Sequence, residues 1–294
     1  MQSLHAVSYE EAVEIVRGIQ ALDGPNVNPV CRTRLYTHGD VTGRALVLLH
    51  GFTNCPRQFD DVGRGFFERG WNVLIPRYPR HGYSDRMNTA IAELRADDLI
   101  AVANRSVEAG LGLGDRLVVA GLSLGAILAG YLAQTRTGIE RSVLVAPMLG
   151  LKPLPGPVLT AVSVAAQALP NFYVWWNREA KEDIKPPHGY PRFSTHAYAA
   201  LFECGRRLLA EARHAPPESP SIAVITNAAE PRLDNRFTYG LVDLWRAHDA
   251  QVETYEFPLA DGLPHDLVDP VSNPSRVTDV SYPILRRFIE GAPA

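Results

Sequence analysis

The stretch Arg116–Gly130, RLVVAGLSLGAILAG, decides how this 294-residue chain is expected to fold. An apolar, strand-like run, RLVVA, leads into the pentapeptide GLSLG at 121–125, and a helix rich in Ala, Leu and Gly follows it. A serine between two glycines on such a sharp strand-to-helix turn is typical of a nucleophile elbow, because larger neighbours would collide with the strand and the helix. The hydroxyl of Ser123 would then project at a helix N-terminus, where the helix dipole favours negative charge.

Strand and helix signals alternate on both sides of this segment. The predicted strands are 31–36, 44–49, 71–75, 117–120, 142–145, 222–226 and 251–257, and the predicted helices are 90–108, 125–134, 234–248 and 282–290. A further short helix is predicted near the N-terminus, where Ser8 and Glu11 have the spacing of a capping box. The glycine-rich run at 110–114 is interpreted as a loop, because it precedes a strand and does not follow one. This rhythm predicts an α/β fold with a mostly parallel central sheet and helices on both faces.

The alternation stops between Met148 and about Pro220, where proline-rich joints surround two helical pieces. We therefore predict an α/β core formed by residues 1–147 and 221–294 and an inserted cap subdomain at 148–220. From Pro153 to Asn177 the cap has no charged residue, so an apolar acyl or aryl group is a more suitable ligand than a sugar or a peptide.

Composition excludes several classes of protein. Hydrophobic residues make up 46% and charged residues 21%, as in a globular protein, and the net charge of −3 gives no reason to expect a nucleic-acid partner. No stretch is long and apolar enough to span a bilayer, so stable membrane insertion is not expected. Three cysteines and an N-terminus without an apolar export signal predict a cytoplasmic protein without a disulfide framework.

The segment His50-Gly51-Phe52-Thr53 directly follows the apolar strand ALVLL and provides candidates for an oxyanion hole. Acyl transfer creates a tetrahedral oxyanion, which needs two backbone N–H groups already pointing at it. In a nucleophile-elbow enzyme one donor is the residue after the serine, here Leu124, and the other comes from a loop after an earlier strand. We predict Phe52 as that second donor and interpret His50 as a residue that shapes the loop.

Four motifs occur in one order along the chain: LVLLHGFTN at 46–54, PRYPRHGYSD at 76–85, GLSLG at 121–125 and LPHD at 263–266. Together they resemble the α/β-hydrolase fold, most closely its carboxylesterase, monoacylglycerol-lipase and serine-aminopeptidase-like branches. The resemblance implies a Ser, acid, His triad in that chain order. It also implies that the base is His265, in the loop after the last predicted strand.

The acid is assigned by the same resemblance. Family members usually have it about four residues beyond the strand IAVIT, with an apolar residue three positions later. Glu230 followed by Leu233 fits that frame, and Asp234 remains the alternative, with Asp261 and Asp266 behind it. Glutamate is adequate chemically, since the acid only orients the imidazole and stabilises its charged form.

These residues predict a serine carboxylic-ester hydrolase that forms an acyl-enzyme on a small to medium apolar acyl or aryl ester. No cofactor and no metal are expected, because no two histidines four positions apart have a glutamate between them and no phosphate-binding loop is present. A thioesterase, an amidase or an aminopeptidase could use the same triad. A non-catalytic binding protein with this fold is the alternative from another class.

Overall fold

The computed structural model describes residues 7–271 and 277–291, and its centre is a seven-stranded sheet. The strands of that sheet are β1 (Arg34–Tyr36), β2 (Ala45–Leu49), β3 (Asn72–Ile75), β4 (Leu117–Leu122), β5 (Ile139–Val145), β8 (Ile222–Asn227) and β9 (Val252–Phe257). Their spatial order is β1-β3-β2-β4-β5-β8-β9, and every neighbouring pair is parallel except β1 with β3. The predicted mostly parallel sheet is therefore confirmed.

Helices cover both faces of the sheet. They are α1 (Tyr9–Gln20), α2 (Asp60–Phe67), α3 (Ala96–Leu113), α4 (Leu124–Thr135), α5 (Gly156–Ala168), α6 (Thr195–His214), α7 (Asn235–Ala247) and α8 (Tyr282–Glu290). Alternate residues of β2 enter two separate cores: Val47 packs in the cluster that includes α1, α3, α4, α6 and α7, and Leu48 packs with α2 and α8. A strand buried on both faces must be apolar throughout, which explains the sequence ALVLL.

The order of the strands fixes where loops can form a site. The chain passes from β2 outward to β3, then returns to β4 on the other side of β2 and continues outward to β9. The carboxyl ends of β2 and β4 therefore lie side by side at a topological switch point, where open α/β sheets form their binding crevices. HGFT follows β2 and GLSLG follows β4, so the topology brings both motifs to one edge of the sheet.

The segment predicted as a cap contains α5, α6 and a two-stranded antiparallel ribbon of β6 (Tyr173–Trp175) and β7 (Arg192–Ser194). Helix α6 packs along α4, and its buried residues, such as Leu201 and Leu208, belong to the same core as those of α4. The boundaries 148 and 220 stay a prediction. No helix within the described residues has the length and apolar character needed to cross a membrane.

The glycine-rich run at 110–114 is not a loop, as the sequence had suggested. Gly110 and Gly112 lie in the last turns of α3, which ends at Leu113. A Cβ atom on Gly112 would come within 2.6 Å of the carbonyl oxygen of Ser8 and 2.8 Å of the Cβ of Ala12 in α1. Gly112 therefore allows close packing of α1 on α3, while a Cβ atom on Gly110 would collide with Leu117 of β4 at 2.7 Å, so Gly110 allows close packing of α3 on the sheet. This packing outweighs the poor helix propensity of glycine.

The expectation against a disulfide is also wrong, since Cys31 and Cys55 are bonded to each other and only Cys204 is a free, buried thiol. The two partners are 24 positions apart and their Cα atoms lie 5.2 Å apart, because the short helical turns Pro29–Cys31 and Pro56–Phe59 pack together. Disulfides are rare in reducing compartments. This bond removes one ground for predicting a cytoplasmic protein.

Candidate active site

Ser123 lies on the turn between β4 and α4, with a strained backbone conformation (φ 59°, ψ −109°). Its N–H donates to the carbonyl oxygen of Val145 at 2.9 Å, which fixes the turn to the neighbouring strand. A Cβ atom on Gly121 would collide with the carbonyl of Gly125, and one on Gly125 would collide with the carbonyl of Leu49. Both glycines are therefore required sterically, and positive φ at a residue other than glycine is a strain that clusters at functional sites.

His265 and Glu230 form a close pair beyond the carboxyl ends of β8 and β9. The Nδ1 atom of His265 lies 2.6 Å from Oε2 of Glu230, whose side chain is only 2% exposed. Burial alone would raise the pKa of Glu230, but hydrogen bonds from His265 and from the N–H groups of Arg232 and Leu233 outweigh it and lower that pKa. Glu230 is therefore held as a carboxylate against the ring of His265.

Asp234, the alternative acid, has a different role in the structure. Its side chain accepts a hydrogen bond from the backbone N–H of Arg236 as the N-cap of α7 and forms an ion pair with the Arg236 guanidinium. Of the two acids left open by the sequence, it is Glu230 that contacts His265.

Ser123, Glu230 and His265 line one cavity of about 530 Å³ at the switch point of the sheet. The side chain of His265 remains 34% exposed. Within residues 7–271 and 277–291 the Ser123 hydroxyl has no hydrogen-bond partner, on His265 or elsewhere. Catalytic hydrogen bonds are often long before substrate binds and tighten in the complex.

The two predicted oxyanion donors are Phe52, in the loop after β2, and Leu124, the residue after this serine. Phe52 lines the cavity directly, and Leu124, the first residue of α4, is wholly buried behind Ser123. In the part of the chain that the structure describes, the N–H of Phe52 has no protein acceptor. An unused donor beside the elbow is what an oxyanion hole requires.

Gln58 connects the loop after β2 to the loop that contains His265, a feature that sequence analysis missed. Its Oε1 atom accepts from the N–H of Gly51 at 2.7 Å, and its Nε2 atom donates to Oδ2 of Asp266 at 2.8 Å. Burial first, and then the charge of Asp269, raise the pKa of Asp266, and the bond from Gln58 opposes that shift. The buried side chain of Gln58 thus fixes the distance between the two loops.

Two buried histidines near the site support the loops. His50 is wholly buried and stacks on Tyr78 with ring centres 3.8 Å apart, while its Nδ1 lies 2.9 Å from the carbonyl oxygen of Gly51. Burial lowers the pKa of His50 well below its usual value and lowers that of His81 to about 4. Both rings are therefore neutral at physiological pH, which fits a structural role for His50.

The low pKa of His81 predicts a pH dependence of stability. The unfolded chain binds a proton at this residue near pH 6.5, but the folded chain does so only near pH 4. The free energy of unfolding should therefore fall as pH drops from 6.5 to 4, by up to about 3 kcal/mol from this residue. Denaturant unfolding of wild type and His81→Gln across this pH range measures the effect. The free energy of unfolding of the variant should depend less steeply on pH than that of wild type. An equal pH dependence in both proteins would contradict the low pKa of His81.

Part of the wall of the cavity comes from the predicted cap. The indole Nε1 of Trp176 donates to Oγ1 of Thr53 at 3.0 Å, and the carbonyl oxygen of Thr53 accepts from Tyr190 N–H at 2.7 Å. The ring of Phe52 packs against those of Trp176 and Tyr198. The loop after β2 and the segment predicted as a cap are thus packed against each other at the cavity.

The fold, the turn at Ser123 and the pair of Glu230 with His265 are together those of an α/β hydrolase. The family model described as the alpha/beta hydrolase family matches residues 46–280, and the chain belongs to this family. None of the curated proteins matches the sequence significantly.

Solved structures with the same fold include lipolytic enzymes. A structure from a study of LipS and LipT, two metagenome-derived lipolytic enzymes, is 17% identical and superposes with a TM-score of 0.66 over 90% of this chain and 99% of that one. A monoacylglycerol lipase from Paleococcus ferrophilus is 17% identical, with a TM-score of 0.64 over 88% and 98% of the two chains. A monoglyceride lipase of Saccharomyces cerevisiae is 11% identical, with a TM-score of 0.59 over 90% and 92%. At these identities the likeness shows the shared fold.

Proposed function

We propose that the protein is a serine carboxylic-ester hydrolase that works through an acyl-enzyme. The observation that carries this proposal is the 2.6 Å contact between His265 and the buried Glu230, made by a histidine that lines the same cavity as the strained Ser123. A lone serine on a tight turn has no activated hydroxyl, whereas a serine near an oriented imidazole has a general base available.

In the proposed first half-reaction, Oγ of Ser123 attacks the ester carbonyl while Nε2 of His265 accepts its proton. Glu230 holds Nδ1–H and stabilises the imidazolium without taking the proton itself. The N–H groups of Phe52 and Leu124 bind the oxyanion of the tetrahedral intermediate. The intermediate expels the alcohol, which leaves with the proton from His265, and an acyl-Ser123 ester remains.

The second half-reaction repeats these steps with water. His265 removes a proton from a water molecule that attacks the acyl carbon, and the collapsing intermediate returns that proton to Oγ of Ser123 as the acid is released. Proton and bond changes balance over the cycle, since one ester and one water give one acid and one alcohol. No step needs a cofactor or a metal.

The cavity supports a small to medium acyl or aryl ester. Its volume of about 530 Å³ is in the range of small-molecule sites, and apolar residues such as Met148, Leu233 and Leu263 contribute to its lining. The lipolytic enzymes of similar fold also act on esters, which supports the same bond type here. An initial-rate series with 4-nitrophenyl acetate, butyrate, octanoate and palmitate tests this, with a maximum expected below the longest chain and no hydrolysis of any ester contradicting it.

A peptidase that recognises a substrate ammonium group would need a carboxylate available in this cavity. Among the described residues the acidic groups that line it are Glu230 and Asp266. Glu230 is bonded to His265, and Asp266 accepts from Gln58 and from the N–H groups of Val268 and Asp269. This distribution favours ester over aminopeptidase chemistry. Thioester and amide hydrolysis would use the same triad. Rates with an ester, a thioester and an amide of the same acyl group would distinguish these activities.

Gln58 provides a test of how the two loops are positioned. Replacing it with Leu leaves the Gly51 N–H and Oδ2 of the half-buried Asp266 without their Gln58 partner, so both loops can shift by a fraction of an ångström. We expect kcat for a 4-nitrophenyl ester to fall by about 10- to 100-fold, with a smaller change in KM. Steady-state kinetics of the variant separate the two constants.

Gln134→Leu is the control, since Gln134 is also a buried glutamine but bonds to Trp245 and to the carbonyls of Ala215 and Pro216, which are not among the residues lining the cavity. It should lower stability and keep kcat. An equal loss of kcat in both variants would show that Gln58 has no specific positioning role.

A further inference from the structure

We infer that the substrate carries an anionic group, a carboxylate or a phosphate, which Arg232 and Lys185 bind at the wall of the cavity. This inference rests on the proposed ester hydrolysis and adds a charge requirement to the substrate class. Both cationic residues line the same cavity as Ser123, and both are exposed residues.

The balance of charge in the cavity is the first observation. Its lining acids, Glu230 and Asp266, are both occupied by hydrogen bonds within the protein, as described above. Among the described residues neither Arg232 nor Lys185 forms an ion pair. Glu182 and Asp183 lie close to Lys185 in sequence but do not line the cavity. The two cationic residues that line the cavity are therefore not neutralised by a carboxylate in the described part of the chain.

The fixed position of Arg232 is the second observation. Its Nη2 atom donates to the carbonyl oxygen of Trp176 at 2.9 Å, and its Cζ atom lies 5.4 Å from the centre of the Trp176 indole. Its backbone N–H donates to Oε1 of Glu230 at 3.0 Å, so the residue is anchored to the acid that contacts His265. An exposed arginine normally loses side-chain entropy when it binds a ligand, but this one is already held between the cap and the loop after β8.

A neutral hydrogen-bond donor, the side-chain amide of Asn177, would also favour an anionic group. The Oδ1 atom of Asn177 accepts from the N–H groups of Glu179 and Ala180, and its NH₂ group donates no hydrogen bond within the described residues. Asn177 lines the cavity beside Trp176. An oxyanion of a substrate would find a guanidinium, an ammonium and an amide NH₂ here. Arginine in particular matches the geometry of carboxylate and phosphate with two parallel N–H donors.

The cationic residues of the cavity contrast with the net charge of the whole chain. The protein is acidic, with a net charge of −3, so a general positive field would not attract anions. A cleft lined by one sign of charge focuses its field and raises the local concentration of the opposite ion. The cations of the cavity therefore have a selective effect that the surface as a whole lacks.

The test compares esters that differ only in charge, one pair for each side of the scissile bond. The alcohol side uses the butyrate esters of 4-hydroxyphenylacetate and 4-hydroxyphenylacetamide, whose leaving phenols have nearly equal acidity. The acyl side uses mono-4-nitrophenyl suberate and its methyl ester. At low ionic strength we expect kcat/KM of the anionic ester to exceed that of its neutral partner by about tenfold in at least one pair, and high salt to remove the difference.

The variant Arg232→Gln/Lys185→Gln should reduce that ratio to about one. Because the ratio compares two esters on one enzyme preparation, losses from partial misfolding cancel. The control Arg178→Gln/Lys181→Gln makes the same change in net charge at exposed residues of the same segment that do not line the cavity, and it should keep the wild-type ratio.

The outcomes separate this inference from the proposed function. Hydrolysis of the neutral esters with a ratio near one in both wild-type pairs would overturn the anion site and leave the serine hydrolase standing. An equal fall of the ratio in both double variants would also overturn it, because the effect would then be a general field. No hydrolysis of any of the four esters would contradict the proposed function and this inference with it.

Discussion

Replacing Ser123 with Ala is expected to reduce kcat for a 4-nitrophenyl ester by about a million-fold. The change deletes one oxygen atom, the proposed nucleophile, and retains the Cβ atom, so the backbone of the turn keeps the steric constraints it has with serine. The oxyanion donors and His265 would remain, so a small residual rate above that of water is expected. Stopped or continuous release of 4-nitrophenol at saturating substrate measures the loss.

Ser142→Ala is the control for this change. Ser142 lies in β5, is also buried, and its hydroxyl has no hydrogen-bond partner in the described part of the chain. That variant should keep kcat within about twofold, since it removes no group near the cavity. Near-normal ester hydrolysis by the Ser123 variant, with circular dichroism showing a folded protein, would refute the nucleophile assignment.

Replacing Glu230 with Gln is expected to reduce kcat by about ten-thousand-fold. Glutamine keeps the shape but has one acceptor oxygen where the carboxylate has two. Oε2 of Glu230 contacts His265 and Oε1 accepts from the N–H groups of Arg232 and Leu233. An amide in this position must turn its NH₂ group toward one set of donors, so His265 loses either its tautomer or its fixed orientation.

Asp234→Asn distinguishes this acid from the alternative in the same loop. Asparagine is as good an N-cap as aspartate, so α7 should remain intact in that variant. We expect its kcat to stay within about twofold of wild type, because Asp234 contacts Arg236 and not His265. A large loss in the Asp234 variant together with a small loss in the Glu230 variant would reverse the assignment.

The parts of the fold that sequence predicts best are local. The strand before Ser123 is predicted at 117–120 and observed as Leu117–Leu122, and the last helix is predicted and observed at 282–290. The capping box of Ser8 with Glu11 is present as expected. These features depend on periodicity and short-range sterics, which are determined by residues close together in the sequence.

Contacts between distant residues were beyond such reasoning. Gln58 and Asp266 are 208 positions apart, and nothing in either local sequence indicates that one amide joins them. The Cys31–Cys55 bond was missed because an odd cysteine count says nothing about which residues the fold brings together. The helical position of Gly110 and Gly112 was not predicted because these glycines serve contacts with the sheet and with α1, which the local pattern does not show.

The candidate site lies between these two cases. Ser123 and Phe52 follow from local motifs at the ends of β4 and β2, whose adjacency the parallel sheet then guarantees. The predictions of His265 and Glu230 came from the resemblance to α/β hydrolases, which still left Asp234 open as the alternative acid. Arg232 was passed over because an exposed arginine carries no signal in sequence, and its meaning depends on Trp176 and the cavity.

The most direct test of the account is covalent labelling of the whole protein with a fluorophosphonate, followed by intact-mass measurement and peptide mapping. Such a reagent reacts with a serine only where a base activates the hydroxyl and donors stabilise the oxyanion-like product. We predict a single adduct, located on Ser123, that forms slowly or not at all in Glu230→Gln. An unmodified protein, or an adduct on another residue, would contradict the proposal that Ser123 is an activated nucleophile.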